Sequence, residues 1–312
     1  MQIPASLKLF WSGIAALLVI GVTWLQILGP IQPVPALVPR GATSGIPVPS
    51  PVLLVASSVN PHWKIPHPSP YGVTPMDYYA ARAAAPSDMP RVAIMVGGIG
   101  YALAPSLDAV RDLPPQISLA LSPYGAHDDA IAEAARAAGH ETLMGLPMQV
   151  NGEPDITAGD QALHAGSGTA HNLKRLDWAL SRVTGYAGVT DAIGLTAPET
   201  FLWHKHAAAW LAGQLVQAGV FMVIAVPNTP TPGGMNNRVA DTTIDPAQGV
   251  ATETAALNQL ATIAITKGRA LGVLMIPTPP AIATLASWCK GLAAQHIALV
   301  PVSALAAPAS TP

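Results

Sequence analysis

From residue 91 onward, short apolar segments alternate with segments of helical period, and this alternation restricts the fold more than any other feature. Strands are predicted over residues 91–96, 117–122, 142–146, 186–189, 220–226, 271–276 and 297–300, with a further short strand near Val239. Helices are predicted over residues 102–112, 128–138, 170–182, 200–217, 251–267 and 280–295. Strands that are apolar throughout and joined by helices indicate a parallel sheet covered on both sides.

Two architectures satisfy this pattern, an open doubly wound sheet and a β/α barrel. About seven or eight units in roughly 220 residues are slightly too few for a complete eightfold barrel but suit an irregular one. Periodicity alone leaves both architectures open.

The N-terminal segment predicts a membrane anchor. No formal charge stands from Leu9 to Leu28, a stretch of bilayer length, and Lys8 precedes it. A cleaved signal peptide is the alternative, but the apolar run is long for one and no clear A-x-A site follows. We therefore predict a transmembrane helix within residues 1–29, with the N-terminus in the cytoplasm.

Residues 30–90 are rich in proline, which predicts an extended linker that contributes little to the core. Its part from His62 to Tyr79 also carries Trp63, Tyr71 and Tyr78, and we expect that part to pack on the following domain. The folded domain is predicted over residues 91–307, followed by a disordered tail at 308–312.

Composition excludes two classes of site. A net charge of -2 with 15 Lys and Arg, and no visible basic stripe, argues against nucleic-acid binding. Cys289 is the single cysteine, so the chain can build neither an internal disulfide nor a thiolate metal site. We expect an inert thiol buried in a helix.

Three glycines, Gly97, Gly98 and Gly100, follow the first predicted barrel strand. Glycines at a strand-to-helix turn can admit a phosphate, but the third glycine of G-x-G-x-x-G is replaced here by Leu103. A tight turn is the interpretation we prefer.

Five phrases in the order RVAIMVGGIGYA, ISLALSPYG, AAGHETLMGLPMQ, RLDWALSRVTGYAGV and HIALVPVSAL span residues 91–305. Together they resemble the divergent polysaccharide deacetylase family, envelope-directed relatives of the metal-dependent carbohydrate esterases. The resemblance implies an irregular β/α barrel of the glycoside hydrolase and deacetylase type. It also implies hydrolysis of a carbohydrate C–N bond by a divalent metal with imidazole and carboxylate ligands.

The positions that the resemblance assigns to metal ligands and bases carry other residues. Gly97 and Gly98 stand where the family has two aspartates, and Gln149 stands where it has a glutamate. Gly145, Ala192 and Thr278 stand where the family has histidines. These departures predict no catalytic residue at those positions, no metal and no cofactor, and they favour a pseudoenzyme.

Polar residues that follow the predicted strands are candidates for glycan binding: Tyr124, His127, Asp128, Gln149, Asp191 and Asn228. The favoured interpretation is a single-pass protein of the bacterial inner membrane whose periplasmic domain binds or scaffolds polysaccharide or peptidoglycan. The alternative is an active carbohydrate deacetylase with a rearranged site around His127, Asp128 and Asp191, which would need a divalent metal. A third interpretation is a protein-interaction module held away from the membrane by its linker.

Overall fold

The computed structural model describes Ile14 and residues 16–18, 45–81 and 88–306. The chain divides into two compact units, Met1–Val38 and Pro39–Pro312. In the first unit the four described residues are helical, and the rest of the predicted anchor from Leu9 to Leu28 lies outside the described residues. The predicted tail lies outside them too. Among helices formed by described residues, none combines the length and the apolar character that crossing a membrane requires.

The second unit contains strands and helices close to the predicted ones. Its strands are β1 Leu54–Ala56, β2 Lys64–Pro66, β3 Arg91–Ile99, β4 Ser118–Leu121, β5 Thr142–Gly145, β6 Gly188–Thr190, β7 Phe221–Ile224, β8 Asn237–Val239, β9 Thr242–Ile244, β10 Arg269–Leu274 and β11 Ala298–Val300. Its helices are α1 Pro75–Tyr79, α2 Leu103–Asp112, α3 Asp128–Ala138, α4 Thr169–Leu180, α5 Lys205–Ala218, α6 Val250–Lys267 and α7 Pro279–Gly291.

Nine strands form one parallel sheet that curls around the core. The order is β8-β7-β6-β5-β4-β3-β10-β9, and β11 pairs with the first half of β3. The two edge strands are consecutive in the chain, and the residues between them reach both sides: Ala240 N donates to Ile224 O at 2.8 Å and Asp241 N donates to Leu271 O at 2.8 Å. Strands in chain order agree with the predicted irregular barrel, whereas a doubly wound sheet reverses its order.

The strands in the middle of the sheet are buried, as expected for a parallel sheet covered by helices, whereas the edge strand β8 is half-buried. Every residue of β4, β5 and β7 is buried.

Two local predictions need correction. The helix predicted from residue 200 begins only at Lys205, because Phe201–Trp203 forms a 3-10 turn that buries Phe201. Strand β9 was not predicted. Cys289 is buried on α7 as expected, and burial raises the pKa of its thiol to about 12.

The Pro-rich segment is folded where the structure describes it, so the interpretation as an extended linker is wrong for residues 45–81, which we call the arm. Strands β1 and β2 pair antiparallel within the arm, and Leu53 and Tyr79 are 0% and 3% exposed. Prolines are tolerated in extended backbone and at the first turn of a helix, where Pro75 begins α1. The apolar side chains of the arm pack this backbone against the folded unit. The expected packing of the segment from His62 to Tyr79 is confirmed, since Met76 N donates to Gly219 O at 3.1 Å.

Hydrogen bonds also fasten the arm to the sheet. Ser57 Oγ donates to Asp177 on α4 at 2.5 Å. Ala81 N donates to the fully buried Glu141 at 2.9 Å, and the same carboxylate accepts from Ser303 N at 3.1 Å. Glu141 therefore joins the arm, the residue preceding β5 and the C-terminal segment.

Candidate functional site

The glycines after the first barrel strand lie in an irregular stretch of β3. The pairing of β3 with β4 shifts register between Val96 and Ile99, and Gly98 has a φ of 66°. That left-handed conformation favours glycine because a Cβ atom would crowd the backbone. Gly97 and Gly98 are buried. This irregularity brings the backbone of β3 into contact with the loop after β6.

No room for a side chain remains at Gly97 or Gly98. A Cβ atom on Gly97 would lie 2.9 Å from both Cβ and O of Ala192 and 3.1 Å from Met275 O. On Gly98 it would lie 2.7 Å from Gly194 Cα. The ends of β3, β6 and β10 therefore meet through their backbones at the point where the resemblance places metal ligands.

Two further positions of this set, Gly145 and Thr278, are also occupied by packing contacts. A Cβ atom on Gly145 would lie 2.9 Å from Ile193 Cγ2 and 2.9 Å from Leu121 O. Thr278 caps helix α7, where its hydroxyl accepts a hydrogen bond from Ala281 N at 3.4 Å. Gly145 thus has no side-chain ligand atom, and Thr278 uses its hydroxyl oxygen to cap the helix.

A divalent metal does not fit these residues. Gly97, Gly98, Gly145 and Ala192 have no side-chain donor, and a hard or borderline ion requires oxygen or nitrogen ligands. Within the described ranges, no group of three or more His, Cys, Asp or Glu side chains could hold a metal ion.

Tyr124, His127 and Asp128 lie at the carboxyl end of β4. The half-buried Tyr124 donates its hydroxyl to Ala158 O at 2.9 Å and places its ring centroid 5.3 Å from that of Trp178. His127 is exposed at the N-cap position of α3 without a side-chain cap. Asp128 is only 4% exposed, and desolvation raises its pKa to about 6. Tyr124 thus serves mainly in packing, whereas neither carboxylate oxygen of the buried Asp128 has a hydrogen-bond partner among the described residues.

The other three candidates follow β5, β6 and β7. Gln149 Oε1 accepts from Ala165 N at 3.2 Å, and Asn228 is exposed in the loop after β7. Asp191 Oδ1 accepts from Ala225 N at 2.7 Å, and burial raises the pKa of Asp191 to about 6. Among the described residues, no hydrogen bond or ion pair joins Asp191 to the group at the end of β4.

The structure adds Glu199, which the sequence did not indicate. Its backbone forms an isolated antiparallel bridge with Val150, and its side chain lines a small cavity together with Asp191. Glu199 is 5% exposed, and its Oε2 accepts from Leu202 N at 2.9 Å. Burial raises the pKa of Glu199 to about 7, and the charge of Asp191 adds to this effect.

Two exposed aromatic residues also lie on this side of the sheet and were not predicted. Tyr101, 53% exposed, follows β3, and its ring lies against Gly194, where a Cβ atom would come within 2.8 Å of ring Cδ2. Trp203, 60% exposed, ends the 3-10 turn after Glu199. No periodic pattern marks either residue, since both stand at element boundaries.

Comparison with known proteins places this geometry in a family. The divergent polysaccharide deacetylase family matches residues 94–306. The crystal structure of an uncharacterized protein from Agrobacterium tumefaciens C58 is similar, with a TM-score of 0.70 and 27% identity over 78% of this chain and 99% of that chain. A family 4 carbohydrate esterase from Streptomyces lividans, in complex with acetate, has a TM-score of 0.36 and 13% identity over 71% of this chain and 96% of that one. No curated protein matches the sequence. The chain belongs to the divergent polysaccharide deacetylase family.

Proposed function

We propose that this protein binds an envelope glycan, polysaccharide or peptidoglycan, at the carboxyl ends of its strands without metal-dependent hydrolysis. One observation carries the proposal: the positions that resemblance assigns to metal ligands are closed by backbone contacts at Gly97 and Gly98. Hydrolysis of an acetamide near neutral pH needs a polarised carbonyl and an activated water, which the family obtains from the metal. Without that metal, binding is the function that the site retains.

The surface around the closed positions suits a sugar chain. Exposed aromatic rings such as Tyr101 and Trp203 can cover the apolar face of a pyranose ring. The loops between them supply polar groups, including the exposed Asn151 and Asn228. We propose these residues as the contact surface for glycan.

We further propose that the segment from Leu9 to Leu28 anchors the protein in the bacterial inner membrane, with the folded unit in the periplasm. A phosphatase fused after Ala307 should then be active, and a fluorescent protein that matures only in the cytoplasm should stay dark. The opposite pattern would contradict the proposed location.

The function is tested by measuring binding and hydrolysis with the same ligand. Acetylated chitooligosaccharides or peptidoglycan fragments should bind in calorimetry, and no acetate should be released with or without added zinc. Trp203→Ala should weaken binding roughly tenfold through loss of one stacking surface. Tyr71→Ala is the matched control, because Tyr71 is a 72% exposed aromatic residue of the arm.

Two outcomes would overturn the proposal. One is the absence of glycan binding by the wild type. The other is acetate release that a chelator abolishes, which would support the active-enzyme alternative around His127, Asp128 and Asp191.

A further inference from the structure

A small cavity at the carboxyl ends of the strands brings together two carboxylates that the proposed glycan surface does not use. It is lined by Asp191 and Glu199, while its other walls are apolar and come from the loops after β5, β6, β7 and β10. The cavity has a volume of about 10 Å³, which is room for one group of the size of a water molecule. Asp191 and Leu195 are partly exposed, so the cavity has access to solvent.

One oxygen in this cavity lacks the hydrogen bond that burial demands. Glu199 is 5% exposed and uses Oε2 to accept from Leu202 N, but its Oε1 accepts no hydrogen bond from any described residue. A buried acceptor without a donor costs free energy, and the cost is larger when the group is charged. The cavity therefore calls for a ligand that donates hydrogen bonds.

The size and charge of the cavity select among possible donors. A guanidinium group is too large, and a divalent ion would find two carboxylates where it needs four or more ligands. A primary ammonium group has the size of a water molecule, carries three donors and adds the positive charge that two carboxylates attract in apolar surroundings.

We infer that Asp191 and Glu199 bind a primary ammonium group, and that the preferred glycan carries hexosamine units whose nitrogen is no longer acetylated. The inference rests on the proposed function, because a glycan held at this face brings its substituents to the cavity. An acetylated nitrogen has no positive charge, and its acetyl group exceeds the available space.

Acid should weaken this interaction. The carboxyls lose their charge as the pH falls through about 7 for Glu199 and about 6 for Asp191. No other titratable side chain is among the described residues that line the cavity. The nearby pair of Glu153 and His164 contacts this wall through Val150 N, which donates to Glu153 at 3.3 Å. Binding requires ionised carboxylates and a protonated amine, so affinity should peak at an intermediate pH.

The test compares three probes on the full chain by titration calorimetry: a glucosamine tetramer, its fully N-acetylated counterpart and methylammonium chloride. The glucosamine tetramer should bind about tenfold or more tightly than the acetylated one, as expected for a charge-assisted hydrogen bond. Glu199→Gln and Asp191→Asn should each remove this preference while binding of the acetylated tetramer persists, which shows that the variants fold. Glu133→Gln, an exposed carboxylate on α3, should change neither affinity.

Equal affinity for both tetramers would overturn the inference and leave the proposed function intact. Loss of binding to both would overturn the proposed function as well. Binding of methylammonium without preference for the glucosamine tetramer would overturn the glycan as the source of the ammonium group.

Discussion

Replacing Gly97 by alanine tests whether backbone contacts leave any space for a side chain at this position. The added Cβ atom would lie 2.9 Å from Ala192 Cβ, 2.9 Å from Ala192 O and 3.1 Å from Met275 O. Two of these three atoms are backbone oxygens at the ends of β6 and β10, which cannot rotate away as the end of a flexible side chain can. The substitution must therefore shift strands.

Overpacking of a core costs about 1–3 kcal/mol, and the rigid neighbours place Gly97→Ala in the upper part of this range, at about 2–3 kcal/mol. For a domain of this size the melting temperature should fall by roughly 4–10 °C. Urea unfolding followed by circular dichroism measures the change, provided that the dependence on urea concentration stays the same.

The matched control is Gly213→Ala. Gly213 is exposed on helix α5, and a Cβ atom there would meet nothing within 4 Å. Alanine should stabilise this helix by about 0.5–1 kcal/mol because glycine is the poorer helix former. If Gly97→Ala behaved like this control, space for a side chain would exist at the ligand position and our reasoning about the closed site would be refuted.

Three further predictions concern stability. Glu141→Ala should cost about 2–3 kcal/mol in urea unfolding, since it leaves the half-buried N–H groups of Ala81 and Ser303 and the buried hydroxyl of Ser118 without their acceptor, and a loss below 1 kcal/mol would contradict this role. A chain that begins at residue 88 lacks the arm and should unfold at lower urea concentration than one that begins at residue 39; equal midpoints would show that the arm adds no stability. The pKa of Glu199 is raised to about 7 in the folded state, so unfolding releases protons and stability should decline as pH rises from about 4 to 7, with a smaller decline in Glu199→Gln.

The strands and helices of the barrel could be predicted because each is marked locally. Helix α3 has the predicted bounds, with acidic residues in its first turn and Gly139 in the left-handed conformation at its end. Strand β9 has no such mark. It is three residues long and follows Asp241, and its strand character comes from pairing with β10 at the edge of the curled sheet.

The arm illustrates a different limit. Proline spacing favours an extended backbone, but it does not show whether that backbone contacts water or protein. The outcome depends on a few side chains, Leu53 and Tyr79 among them, and on acceptors such as Glu141 that lie far away in sequence. Such pairings become visible only when both partners have been placed in space.

The candidate site likewise contains one carboxylate that the sequence predicts and one that it does not. Asp191 was predicted because it directly follows β6, and residues that follow parallel strands share one face of the sheet. Glu199 reaches that face through a loop whose path is fixed by its bridge to Val150, and no sequence pattern specifies that bridge.

Glycine at a position that the resemblance assigns to a metal ligand is ambiguous in a sequence, since it fits either an open cavity or a backbone contact. The distances around Gly97 decide for contact, so ligands and the space for them are both absent. Restoring Gly97→Asp would therefore displace the strand ends before it could bind a metal. Metal-dependent deacetylation at these positions would require a change in backbone packing as well as new side chains.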